Sequence, residues 1–193
     1  GSAGSTGGSA GSTGGSTGGS AGGSAGSTTG GASAMCEDFW GDTSDIPPPT
    51  NVLTFKFLNR TNGQFADDEV WWSFESGSYD ELHTIAEEPY YDMPANSSGR
   101  MYFFLGGNGR DSEYRDFIEF TIGDDAFHGN TTEVDGVALK IAIRMHCADG
   151  YDVEVGRTCE TFAENREETW QAFVDYTPPE FHHLTEIEGD RRI

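Results

Sequence analysis

The chain has little positive charge. It contains 11 lysine and arginine residues against 33 acidic residues, which gives a net charge of −22, and only two of the basic residues are lysines. A surface of this sign repels nucleic acids and anionic lipids. We therefore predict no nucleic-acid partner and a neutral or cationic ligand, and we also predict a monomer.

Long apolar runs are also absent. No stretch approaches the roughly 20 consecutive apolar residues of a membrane-spanning helix, so we predict no membrane insertion. The first 34 residues contain only Gly, Ser, Ala and Thr, which cannot bury enough apolar surface to fold. We predict a disordered linker over residues 1–35, an irregular lead-in over 36–50 and a folded domain over 51–193.

Cysteine is scarce, with three residues in the chain. Cys147 and Cys159 flank a cluster of turn residues between two alternating segments, which favours a disulfide across a hairpin if the compartment is oxidising. Cys36 would then be unpaired. Because no Cys-x-x-Cys spacing accompanies the histidines, we predict no metal site and no cofactor.

The folded part is β-patterned. Apolar and polar residues alternate, or aromatic and β-branched residues cluster, in several short segments bounded by Gly, Asn, Asp or Pro. The predicted strands cover residues 52–58, 70–74, 101–105, 116–122 and 137–146. Such spacing favours a β-sandwich or barrel. A helix is predicted to begin at Thr161, with Glu164 completing a capping box, and to end before Pro178.

Glu119 is the first candidate for chemistry. On a strand it shares one face with Phe117 and Thr121, while the opposite face is fully apolar. Apolar neighbours favour the protonated form of a carboxyl group, which is what a general acid requires. An exposed glutamate with no function would give the same pattern.

Asp135 is the second candidate. It precedes Gly136 at the entry to the predicted 137–146 strand, where a carboxylate is accessible to water and suits a general base. Two nearby carboxyl groups are the minimum equipment for cleaving a glycosidic bond. Ordinary turn chemistry also places Asp at such positions. Glu133 would share a face with Asp135 and is the alternative for the same role.

The segments around these residues resemble a known family. Residues 99–106, 114–121, 130–135 and 177–184 are similar, in this order, to segments of glycoside hydrolase family 64. These enzymes are endo-β-1,3-glucanases related in fold to thaumatin-like proteins. The resemblance covers about residues 51–187, and its most specific parts contain Glu119 and Asp135.

The resemblance implies a mainly β fold, a thaumatin-like sandwich or barrel with a smaller α/β part. It also implies inverting hydrolysis of internal bonds in β-1,3-glucan, with Glu119 as general acid and Asp135 as general base. Thr121 would contact the sugar, as would Glu133, where family members commonly have Gln. The protein would be secreted or tethered at the cell surface, and the chain ends where a family catalytic unit would be about half complete.

Two other functions remain open at this point. A non-catalytic module could keep the fold and bind β-1,3-glucan without cleaving it, because related folds do so. A structural surface protein could use only the acidity and the linker.

Overall fold

A computed structural model of the chain describes residues 36–76, 81–107, 109–123, 126–131 and 137–184. The fold is mainly β, as predicted, and its sheets are antiparallel. The nine strands of the described residues, in chain order, are β1 (Leu53–Lys56), β2 (Trp71–Glu75), β3 (His83–Thr84), β4 (Tyr90–Met93), β5 (Ser97–Leu105), β6 (Tyr114–Ile122), β7 (Phe127–Asn130), β8 (Ala142–His146) and β9 (Asp152–Gly156).

The largest sheet has five strands in the order β3-β2-β5-β6-β7. Its long central pair, β5 and β6, each has nine residues and follows the alternation of the sequence. Ile118, Phe120 and Ile122 are buried on one face of β6, whereas Glu119 and Thr121 are exposed on the other. Because side chains alternate along a strand, one face of this sheet forms the core.

A second layer covers the core face. Strands β1 and β4 form a two-stranded sheet, and β1 places its aromatic side chains against the larger sheet. The ring of Phe55 lies 5.3 Å from that of Phe120, and Phe57 lies 4.5 Å from Trp72. Two packed antiparallel layers around an aromatic core make this a β-sandwich.

The strand predicted over residues 137–146 is shorter in the structure and begins at Ala142. The backbone amides of two residues before Ala142 form hydrogen bonds with a side chain. The amides of Ala138 and Leu139 donate to Oδ2 of Asp116, at 3.2 and 3.3 Å, and Asp116 is only 6% exposed. Since these N–H groups bind a buried carboxylate, they are not free to extend a strand ladder.

Strands β8 and β9 form a hairpin that carries its own ion pair. Arg144 donates from Nε and Nη2 to the two carboxylate oxygens of Asp152, at 2.8 and 2.6 Å. These bonds, with a smaller contribution from His146, lower the pKa of Asp152 to about 2. The pair is therefore charged throughout the neutral range.

The predicted helix is two helices, α1 (Cys159–Ala163) and α2 (Arg166–Tyr176). The predicted capping box at Thr161 and Glu164 is wrong, since Asn165 caps α2 and forms the box with Glu168. At the break the ammonium group of Lys140 donates to the carbonyl oxygens of Thr161 and Glu164, at the end of α1. Neither helix is long and apolar enough to span a membrane, and the same holds for the other described residues.

The predicted disulfide is also wrong. Cys36, not Cys147, pairs with Cys159, with the two Cα atoms 5.6 Å apart, and Cys147 is a free thiol. The disulfide links Cys36, in the lead-in, to the start of α1, 123 residues later in the sequence. Three residues after each cysteine, the rings of Phe39 and Phe162 are in contact, with their centroids 5.0 Å apart. Closing so long a loop restricts the unfolded chain strongly.

Candidate active site

The exposed face of the five-stranded sheet carries a polar patch. We define the patch as two rows of residues that lie directly opposite one another on β5, β6 and β7. Facing residues on neighbouring strands have side chains about 5 Å apart, so each row acts as a unit. One row is Arg100, Glu119 and Asn130, and the other is Ser98, Thr121 and His128.

Glu119 lies at the centre of the first row. Its side chain is 49% exposed, and its Oε2 accepts a hydrogen bond from Nε of Arg100 at 2.9 Å. The carboxyl group is therefore accessible to a ligand from solvent. The predicted shielding by Phe117 does not occur, because the guanidinium group of Arg100 covers that ring, 4.1 Å from its centroid.

Thr121 lies in the second row, two residues along β6 from Glu119. Its hydroxyl group is 2.9 Å from that of Ser98 on β5, and either oxygen can be the donor. Thr121 is exposed, as is His128 opposite it on β7. The structure thus places Thr121 on the same accessible surface as Glu119, with hydroxyl and imidazole groups that can form hydrogen bonds with a polar ligand.

Glu133 and Asp135 lie outside the described residues. The residues on both sides of residues 132–136 contact β6. Before them, Asn130 lies opposite Glu119 in the β6–β7 pairing. After them, Ala138 donates to Asp116, three residues along β6 from Glu119. Strand β6 therefore holds both flanks of the chain segment that contains the predicted base.

Sequence reasoning missed Arg100 and Asp116. Arg100 stands in one of the segments that carry the resemblance, but its position opposite Glu119 depends on the pairing of β5 with β6, which the sequence does not state. In the sequence, Asp116 is only the first residue of a predicted strand. Its burial, at 6% exposure, identifies it as the acceptor for the amides of Ala138 and Leu139, and burial cannot be read from the sequence.

A groove of about 1420 Å³ opens on the other side of the sheet. It is lined mostly by apolar side chains of β1, β8 and the helices, together with the core-face residues Tyr114 and Ile118 of β6. None of the patch residues lines it. Glu164 and His146 line the groove, but Glu119, the acid that the resemblance implies, does not, so the polar patch is the better candidate site despite the groove's size.

The described residues contain no group of three or more His, Cys, Asp or Glu side chains placed to hold a metal ion. The titratable groups of the polar patch are Arg100, Glu119 and His128. What this arrangement can do by itself is hydrogen bonding, charge pairing and proton transfer.

Known structures share this fold. The chain is similar to a laminaripentaose-producing β-1,3-glucanase of glycoside hydrolase family 64 from Paenibacillus barengoltzii in complex with laminarihexaose, with 24% identity and a TM-score of 0.68. The match covers 79% of this chain and 50% of that one. A second structure of the Paenibacillus enzyme matches with 24% identity and a TM-score of 0.63, over 74% of this chain and 48% of that one.

A β-1,3-glucanase domain of the same family from Clostridium beijerinckii matches with 18% identity and a TM-score of 0.62, over 77% of this chain and 55% of that one. Neither a protein-family model nor a curated protein sequence matches the chain. The chain spans about half the length of the structures it resembles. Over that span, it has the fold of the family 64 β-1,3-glucanases.

Proposed function

We propose that the chain hydrolyses internal β-1,3-glucosidic bonds of β-1,3-glucan by an inverting mechanism. The observation that carries the proposal is the position of Glu119, an accessible carboxyl group on the polar face of a sheet, in a fold that is shared with β-1,3-glucanases. One of those enzymes binds laminarihexaose, a β-1,3-linked glucan oligosaccharide. A neutral glucan also suits a surface with a net charge of −22.

In this proposal Glu119 is the general acid. Its carboxyl O–H bond breaks as the proton passes to the glycosidic oxygen, which leaves with the electron pair of the C1–O bond. Asp135 is the general base, with its carboxylate taking a proton from the water that attacks C1 from the opposite face. Each carboxyl group ends in the other's initial protonation state, and exchange with solvent restores both.

Inversion requires room for that water between the sugar and the base, so the two carboxyl groups should lie roughly 6.5–9.5 Å apart. The pairing of Asn130 with Glu119 brings the chain beside the acid two residues before the segment 132–136, which supports a base that lies close by in sequence. Thr121 and Glu133 would form hydrogen bonds with sugar hydroxyl groups beside the scissile bond.

The setting of this activity is also part of the proposal. We propose a secreted or surface-tethered monomer, in which residues 1–35 hold the domain at a distance without fixing its orientation. The Cys36–Cys159 disulfide supports an oxidising compartment, since such bridges are rare where thiols are kept reduced.

A non-catalytic glucan-binding module is the second candidate. The ion pair of Glu119 with Arg100 is compatible with it, because a paired carboxylate can bind sugar hydroxyl groups without donating a proton. The two functions differ in their products, not in their ligand.

The test is release of new reducing ends from soluble β-1,3-glucan by the full chain over a range of salt concentrations. We expect release that increases with time and enzyme concentration, together with retention on insoluble β-1,3-glucan. Retention without release would select the binding module. The absence of both would contradict either function and leave a structural role.

A further inference from the structure

We propose that Arg100 is a positioning residue for Glu119, which holds Oε2 of the carboxyl group so that Oε1 carries and delivers the proton. The delivery step rests on the proposed function. The pairing and the choice of oxygen rest on the structure of the polar patch.

The cross-strand register fixes the pair. Arg100 on β5 and Glu119 on β6 are directly opposite, and Nε of Arg100 donates to Oε2 of Glu119 at 2.9 Å. On its other side Arg100 lies opposite Glu75 of β2. Gly99, the residue before Arg100, is required here, because a Cβ atom would lie 2.0 Å from the carbonyl oxygen of Glu75.

Aromatic contacts restrict the guanidinium group further. Its carbon lies 4.1 Å from the centroid of the Phe117 ring, and Nη1 lies 3.5 Å from the hydroxyl oxygen of Tyr102. The side chain of Arg100 is 36% exposed. A planar cation stacked on a ring has few orientations open to it, and a lysine could not both stack in this way and present a fixed N–H to Glu119.

The pairing makes the two oxygens of Glu119 different. Oε2 is occupied as an acceptor, whereas Oε1 has no hydrogen-bond partner among the described residues. A proton on Oε2 would compete with the Arg100 N–H for the same oxygen, so the proton is carried on Oε1.

The pairing is tested by NMR on the full chain labelled with ¹⁵N, without any substrate. The Nε–Hε resonance of Arg100 is assigned as the one that disappears in Arg100→Lys, and that of Arg144 as the one that disappears in Arg144→Lys. We expect Glu119→Gln to move the Arg100 resonance and leave that of Arg144 in place. An Arg100 resonance that moves no more than that of Arg144 would overturn the pairing.

The positioning role is tested by kinetics on soluble β-1,3-glucan. Arg100→Gln should lower kcat about 10- to 100-fold, the cost of a misplaced catalytic group, while KM stays within about threefold. Arg100→Lys, which keeps the charge, should recover part of the loss. Arg144→Gln is the matched control, because it removes an exposed arginine–carboxylate pair from the β8–β9 hairpin, and it should leave kcat unchanged.

A kcat of Arg100→Gln within twofold of the parent, or an effect on KM alone, would overturn the positioning role. The test separates this inference from the proposed function. A parent chain that releases no reducing ends would contradict the function and, with it, the delivery step, and the resonance comparison would then decide the pairing of Arg100 with Glu119 by itself.

Discussion

Replacement of Glu119 with glutamine is expected to lower kcat on soluble β-1,3-glucan by about 100- to 10,000-fold, the usual contribution of a general acid. Glutamine has nearly the same shape as glutamate but has no carboxyl proton to give to the leaving oxygen. Binding should persist, because the rest of the polar patch is unchanged, so KM and retention on insoluble glucan should stay within about threefold of the parent.

The matched control is Glu154→Gln. Glu154 is also a strand glutamate close to an arginine, with Oε1 3.8 Å from Nε of Arg144, and its side chain is 58% exposed. It lies on β9, outside the polar patch. We expect its kcat to equal that of the parent. A Glu119→Gln variant that keeps more than about a third of the parental kcat would rule out the acid role.

The second large effect concerns stability and the core. Trp72→Ala should lower the free energy of unfolding by about 3–5 kcal/mol, the usual range for removing a buried aromatic ring. Trp72 is 1% exposed and packs 4.5 Å from Phe57 and 5.2 Å from Tyr91, which joins the two layers of the sandwich. Its Nε1 donates to the carbonyl oxygen of Glu88 at 3.0 Å.

Urea unfolding followed by circular dichroism measures this cost. Trp71→Ala is the control, since Trp71 is the neighbouring residue on β2, is only partly buried and faces the other side of the sheet. It should cost less than half as much. Trp72→Phe is the second variant, for use if the alanine variant does not fold. It keeps a ring but removes the donor to Glu88, so we expect a loss of about 1–3 kcal/mol in the free energy of unfolding. A Trp72→Ala loss below about 1 kcal/mol would contradict the position of this side chain in the core.

The sequence predicted most where a local period decided the outcome. Side chains alternate along a strand, so the common face of Phe117, Glu119 and Thr121 followed from the spacing. The sandwich itself followed from several short segments of this kind. The resemblance to family 64 agrees with the fold of the matching structures.

The predictions were wrong where two local patterns matched the same motif, or where the structure depended on a residue far away in the sequence. Thr161 with Glu164 and Asn165 with Glu168 both match a capping box, but Thr161 lies inside α1, and only the second pair stands at the start of a helix. Disulfide connectivity is likewise not readable from three cysteines, because Cys36 reaches Cys159 only through the tertiary fold.

The candidate site shows the same division. The sequence identified Glu119 and its face, but the ion pair with Arg100 required the register between β5 and β6. The shielding expected from Phe117 failed for this reason, since a cation from the neighbouring strand occupies that ring. The roles of Glu119, Asp135, Thr121 and Glu133 remain predictions.

The most direct test of the central claim follows the anomeric proton of the product by NMR while the full chain cleaves laminarihexaose. An inverting enzyme acting on β-linked glucose produces the α-anomer first, and the β-anomer then appears at the rate of mutarotation. We predict this order, and product formation at least about 100-fold slower with Glu119→Gln. A β-anomer that appears first would contradict inversion, and an intact hexasaccharide would contradict the hydrolase function.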